Sequence, residues 1–312
     1  MSDVEKEECG PTPQGPDVSE IRPVDAPDTE EPPADDPNFV ADSPRHAEYR
    51  PRVVAFIDVL GFKEIISKSA GDATLVRRIH HALTVSNDAW AEVFAREVGL
   101  DISPADFSDQ MTSFSDCVVI SVEPEIREIG LLVYIVFKIC RQLLMEGFLS
   151  RGGVAKGLLY HDNNAPSGNM GAPMVFGPAF VNAYLFESTH ADGPRVILEN
   201  SVREHIRRKC RAPNHNTKLS AFLDTHIKRA SDGPAYIDVF ADFGSSSYYT
   251  AAADLSSEVK TIREHLCAAL DQTADKPHHF KKNAQLARQF NAAVHRAGWH
   301  DQMIDGDLLP AT

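Results

Sequence analysis

The chain has 312 residues, 43% hydrophobic and 24% charged, a globular composition long enough for one large domain or two ordinary ones. Its formal net charge of -14 is unevenly spread: residues 1–48 hold 14 Asp or Glu against three Lys or Arg, a segment charge of -11, which leaves -3 for everything after it. A near-neutral body lacks the basic surface that duplex nucleic acid requires, so a nucleic-acid partner is not expected. The five cysteines are scattered singly, with no CxxC or Cys/His spacing, which excludes a disulfide framework and a structural zinc site as readings.

Residues 1–48 also contain nine of the 20 prolines. Such a segment buries too little apolar area to offset its ordering entropy, and a disordered tail is expected. Met1 to Gly10 has neither the basic start nor the apolar stretch of a signal peptide. The longest apolar run, Gly130 to Met145, is interrupted by Lys138, Arg141 and Gln142 and is too short to span a bilayer. A cytoplasmic protein with no membrane partner is the expectation.

Val53 to Ile57 reads as a buried strand ending at Asp58. A tight connection, Val59 to Phe62, leads into a helix through Ile65, Ile66, Leu75, Ile79 and Leu83, broken between Ser69 and Asp72. Ser115 and Asp116 sit at the tip of a hairpin whose second arm is Cys117 to Ser121. Glu125 to Gly147 is a well-buried helix, and Arg151 to Tyr160 a strand with a glycine-rich start. Met174 to Phe176 is a brief strand, after which Gly177-Pro178 opens a helix through Phe186. Arg195 to Leu198 is a strand, Ser201 to Lys209 a charged helix and Tyr236 to Phe240 a late strand. Two helices follow, about Asp254 to Leu270 and Pro277 to Arg296. The order predicts an α+β ferredoxin-like sandwich, with a tail over 1–48, a main domain over 49–250 and a C-terminal helical extension over 251–312.

Asp58 and Asp116 lie at the ends of strands that are neighbours in such a sheet. Two hard oxygen ligands at one sheet end, with room for substrate phosphates, suit Mg²⁺ or Mn²⁺. The plain alternative is that Asp58 caps the following helix and Asp116 is a turn residue. Leu60, Gly61 and Phe62 place backbone N–H groups at a helix N-terminus, a phosphate cradle beside a metal ligand. No GxxxxGK[ST] P-loop exists, and Arg151 to Gly157 lacks the context of a dinucleotide fingerprint. The adjacent pairs His80-His81 and His278-His279 point to different helix faces and do not chelate one ion readily.

These residues resemble a known family. Phe56-Ile57-Asp58-Val59-Leu60-Gly61-Phe62 is similar to the metal strand and phosphate loop of class III nucleotidyl cyclases, and Ser115-Asp116 to their second metal site. Arg151-x-Gly153-x-x-x-Gly157 resembles the strand that follows, and Phe176-Gly177 with Ala183 and Glu187-Ser188-Thr189 the strand and helix of their base and transition-state contacts. FIDVLGF, SFSD, SRGG and PRVI are closer still to the bacterial pyrimidine cyclases of Pycsar antiphage defence. The resemblance spans Val53 to Leu198.

It implies conversion of UTP, or alternatively CTP, to the 3′,5′-cyclic monophosphate and pyrophosphate. Two divalent ions are implied on Asp58, Asp116 and the Val59 carbonyl, together with a homodimer holding composite sites and an effector that answers the product. Val181 and Leu185 stand where the purine cyclases carry catalytic Asn and Arg, and Met174 where they read the purine, so purine selection is missing. Arg151 is the candidate transition-state cation with Lys156 behind it, its alternative being a strand-edge salt bridge. Asn182 and Tyr184 are candidate nucleotide contacts, Tyr184 otherwise a half-buried helix aromatic. Two other classes stay open: an inactive cyclase-like sensing or dimerisation module, and a metal-dependent phosphohydrolase or polymerase on the same sheet.

Overall fold

The chain divides after His46, and the body runs over Ala47–Thr312. The computed structural model describes residues 48–84, 87–100, 111–162, 174–230, 232–244 and 252–309. The tail expected to be disordered lies outside them.

The framework is one mixed sheet with helices on both faces. Its first strand, β1 (Arg50–Val59), is followed by helices α1 (Phe62–Ser69), α2 (Ala73–Leu83) and α3 (Asn87–Val98). The hairpin β2 (Met111–Phe114) and β3 (Cys117–Val122) leads to the 20-residue helix α4 (Ile126–Met145) and then β4 (Ser150–Asp162). A short β5 (Met174–Phe176), α5 (Pro178–His190), β6 (Val196–Leu198), α6 (Asn200–Cys210), α7 (Thr217–His226), β7 (Ile227–Arg229) and β8 (Ala235–Ile237) follow. Helices α8 (Ala252–Gln272) and α9 (Pro277–Arg296) come after these. The strand order is β2-β3-β1-β4-β6-β8-β7, with β5 paired to β4. The central strand β1 runs antiparallel to both β3 and β4, whereas β4 and β6 are parallel.

The period-two alternation of strands assigns the faces. Val53, Ala55, Ile57 and Val59 point with Val118, Ile120 and Val122 into the main core, beneath α4. Helix α4 is apolar around most of its circumference because the sheet lies on one side and Phe94, Leu219, Phe222 and Leu223 of α3 and α7 on the other. Val54, Phe56, Val119 and Ala155 point to the opposite face, where Ala179 and Ala183 of α5 cover them. Helices α8 and α9 form a separate apolar cluster around Val259, Ile262, Ala287 and Phe290. Arg141 of α4 reaches toward that cluster: it is ion-paired to Asp242, lies 4.0 Å from Glu258 and sits 4.7 Å above the Phe243 ring.

Local chemistry sets the element ends. Asp72 separates α1 from α2 by accepting hydrogen bonds from the Thr74 and Leu75 N–H groups at 2.9 and 3.1 Å. The late strand ends at Ile237, short of the expected Phe240, because Asp238 accepts from the Phe240 N–H at 3.0 Å and turns the chain. Helix α7 has no counterpart among the elements that the sequence pattern predicts. Its start is the Asn216 side chain, which accepts from the Leu219 N–H at 3.0 Å. Among the described residues no helix is long and apolar enough to cross a membrane.

One buried group makes the fold acid-sensitive. His226, at the end of α7, is 2% exposed and lies against Phe137 and Phe222 at ring-centroid distances of 4.9 and 4.1 Å. Burial pushes its pKa down from 6.5 to about 4. The unfolded chain therefore takes up a proton that the fold refuses, so this contribution to stability is lost as pH falls from 6.5 toward 4. We expect the thermal midpoint of the wild type to fall more steeply across that window than that of His226→Gln. Parallel pH profiles for the two proteins would contradict the assignment.

Candidate active site

Asp58 is the ninth residue of β1, and its parity places it on the face that α5 covers. Its neighbours across the sheet are Cys117 on β3 and Arg151 on β4. Asp116 is brought alongside by the hairpin turn: the Val59 N–H donates to the Asp116 carbonyl at 3.1 Å. That turn holds Ser115 at φ 52°, a left-handed conformation unusual for a residue with a side chain. The two aspartates thus end adjacent strands at the same edge of the sheet, next to α1.

The connection into α1 also corrects two expectations. The N-cap of α1 is Gly61, at φ 71°, with no side-chain cap, so Asp58 does not cap the helix. Leu60 is not a free amide donor, because its N–H is given to the Leu149 carbonyl at 2.8 Å. The N–H groups of Gly61 and Phe62 remain at the helix start, where no helical carbonyl precedes them. Phe62 directs its ring into the main core, which fixes the turn beneath those amides.

Arg151 does stand beside Asp58, with Nε 3.5 Å from Oδ2. It is also ion-paired with Glu187, whose side chain is 1% exposed. Lys156 faces away: it is paired with Val53, on the main-core side, and its Nζ lies 3.4 Å from His205 Nδ1. It therefore cannot stand in for Arg151. Asn182 and Tyr184 are both exposed on α5, two residues apart and so about 200° around the helix from one another. Tyr184 leans on Phe56, edge to face at 5.5 Å, while Asn182 occupies the opposite flank.

Glu187 is the residue whose role the sequence reading left unassigned. Its signal was the spacing Ala179, Ala183, Glu187, which puts a carboxylate on the stripe that faces the strand. The glycines of β4 make that stripe fit. A Cβ on Gly153 would lie 2.2 Å from the Ala183 carbonyl oxygen, so helix and strand meet backbone to backbone. At Gly157 the same atom would meet Ala179 at 3.4 Å, an ordinary contact.

The electrostatics follow from crowding carboxylates together. Burial raises the Asp58 pKa above the usual carboxylate range; Arg151 pulls it down and Asp116 pushes it up. Glu187 is likewise raised by burial, against the pull of Arg151 and with a further push from Asp58. Asp58 and Glu187 share one guanidinium, and Asp116 adds its charge beside Asp58. Among the described residues no group of three or more His, Cys, Asp or Glu side chains forms a closed metal cage. An open pair of carboxylates with a nearby backbone carbonyl is nonetheless the donor set that suits Mg²⁺ or Mn²⁺, which complete their shells with water and substrate phosphate. The residues fit such an ion.

No protein-family profile and no curated protein matches the chain. Two solved structures of a bacterial light-regulated adenylyl cyclase align with 70% of this chain at 13% identity, with TM-scores of 0.37 and 0.38. The alignment covers 59% of the length of those chains. A likeness of that size carries no argument about what the protein does.

The glycine contacts make a paired prediction. Gly153→Ala should cost about 1–3 kcal/mol, because α5 must be displaced to admit the methyl group. Gly157→Ala should stay within about 0.5 kcal/mol of wild type. Chemical denaturation of both variants checks this, and equal effects at the two positions would show that the helix is not seated on Gly153.

Proposed function

We propose that the protein is a class III-type nucleotidyl cyclase that converts a pyrimidine nucleoside triphosphate, UTP before CTP, to the 3′,5′-cyclic monophosphate and pyrophosphate. The observation that carries the reading is the meeting of Asp58 and Asp116 at one sheet end beside the glycine-capped start of α1. The antiparallel order β2-β3-β1-β4, with helices between β1 and β2 and between β3 and β4, supports the ferredoxin-like reading. We assign residues 49–250 to this catalytic domain and 251–312 to a helical extension, whose apolar cluster also takes in Leu144, Phe240 and Phe243.

In this reading Asp58, Asp116 and the Val59 carbonyl hold two Mn²⁺ or Mg²⁺ ions. Bound there, such ions lower the pKa of the ribose 3′-hydroxyl and neutralise the triphosphate. The Gly61 and Phe62 N–H groups, at the positive end of the α1 dipole, orient the phosphate oxygens. Arg151 keeps a fixed positive charge at the same sheet end. The base is read without the purine apparatus, since Met174, Val181 and Leu185 are apolar and exposed.

Those three residues, with Phe176 and Tyr184, also give α5 and β5 an apolar outer surface, which supports a homodimer whose second copy covers it. The product would act as a second messenger for a cyclic-nucleotide-responsive effector in antiphage defence, as the sequence resemblance implies. A second reading has one observation in its favour. In the family resemblance, apolar Val181 and Leu185 stand at the positions of catalytic Asn and Arg, which suits an inactive sensing module.

Divalent-dependent pyrophosphate release from UTP by the wild type decides between the two, and Asp58→Ala and Asp116→Ala test the metal site. Each should reduce divalent-dependent pyrophosphate release from UTP to below about a tenth of wild type, roughly 1.4 kcal/mol of barrier or more, with the fold retained. Activity above that level in a folded variant would remove that residue from the metal site.

A further inference from the structure

We infer that Glu187 is a positioning residue: it anchors the Arg151 guanidinium and so keeps Asp58 available to a divalent cation. The inference rests on the reading of Asp58 as a metal ligand given above.

Two carboxylates compete for one guanidinium, and they are not equivalent. Glu187 is 1% exposed on the inner stripe of α5, where water cannot solvate its charge. Asp58 is 23% exposed and lies 3.5 Å from the same Nε atom. A buried carboxylate deprived of its partner is strongly penalised, whereas a part-exposed one is solvated in the partner's absence. The guanidinium is therefore shared: it hydrogen-bonds Asp58 and is ion-paired with Glu187, and of the two carboxylates only the buried Glu187 has no solvent to replace it. The absent side chain at Gly153 permits this arrangement, because it lets α5 lie close enough to β4 for Glu187 to reach Arg151.

Neutralising Glu187 has two effects of the same sign. The guanidinium loses its buried partner and turns its whole charge on Asp58, making that carboxylate a poorer ligand. One negative charge near the incoming cation also disappears. Arg151 thus acts as a tethered charge and not as an arm free to follow the leaving pyrophosphate.

The test is direct binding of Mn²⁺ alone, read from the electron paramagnetic resonance of the free ion, with no nucleotide and no turnover. Glu187→Gln should weaken Mn²⁺ affinity about tenfold or more, the scale of one unit-charge interaction in a partly buried site. The double variant Arg151→Gln/Glu187→Gln removes both charges together and should return to within about threefold of wild type. A role limited to packing would not be restored by the second substitution.

Glu187→Asp retains the charge but withdraws it from the guanidinium, and it should fall between wild type and Glu187→Gln; it serves as the probe if Glu187→Gln does not fold. Wild-type affinity in folded Glu187→Gln or Glu187→Asp, or a double variant as weak as the single, would overturn the inference. Asp58→Asn is the control. If it binds Mn²⁺ as the wild type does, the metal reading of Asp58 falls and the inference with it. If it loses binding while the Glu187 variants do not, only the inference falls.

Discussion

The site depends on one steric constraint, the contact between the backbone of β4 at Gly153 and the backbone of α5 at Ala183. A helix normally stands off a sheet by the length of two side chains. Here no side chain intervenes, and the helix lies close enough for Glu187, one turn further on, to reach Arg151. Arg151 in turn faces Asp58, because the β1–β4 register pairs those two residues. Moving the helix outward by a methyl group would disturb an ion pair, a carboxylate and the strand end in sequence. Tight packing transmits such a displacement where a looser interior would absorb it.

The charges at this sheet end form a coherent set. Asp58, Asp116 and Glu187 against Arg151 leave a formal charge of -2 when all are ionised. Burial raises Asp58 and Glu187, so the group is held together under electrostatic load. A divalent cation placed there would relieve that load, and the amides at the start of α1 would favour an anion next to it. The buried Arg141–Asp242 pair, with Glu258 at 4.0 Å, is a contrasting case. It also assembles charges in the interior, but it sits between α4 and the C-terminal helices, beside the Phe243 ring, and ties elements together without facing a site.

Much of this was legible in the sequence, for identifiable reasons. The strand at Val53, the hairpin at Ser115-Asp116 and the helix opening at Pro178 are apolar runs bounded by strong turn and start residues, and they lie where the pattern puts them. What was not legible depended on tertiary contacts. The Leu60 amide is spent on Leu149, nearly 90 residues away in the chain, which no local pattern could indicate. Helix α7 carries a weak apolar signal and is held by packing on α4. Lys156, the second candidate cation, lies on the other face of the sheet from Arg151, as parity alone indicates, since the two are an odd number of residues apart on one strand. Glu187 was visible as part of a motif, but its role required knowing what its helix faces.

The central claim is that these residues cyclise a pyrimidine nucleoside triphosphate, and product identity tests it most directly. The full chain should be incubated with each of the four nucleoside triphosphates and Mn²⁺, and the products resolved by mass. The account predicts 3′,5′-cyclic UMP with equimolar pyrophosphate from UTP, a smaller yield from CTP and no cyclic product from ATP or GTP. A linear monophosphate, release of inorganic monophosphate, or no product from any of the four would contradict it.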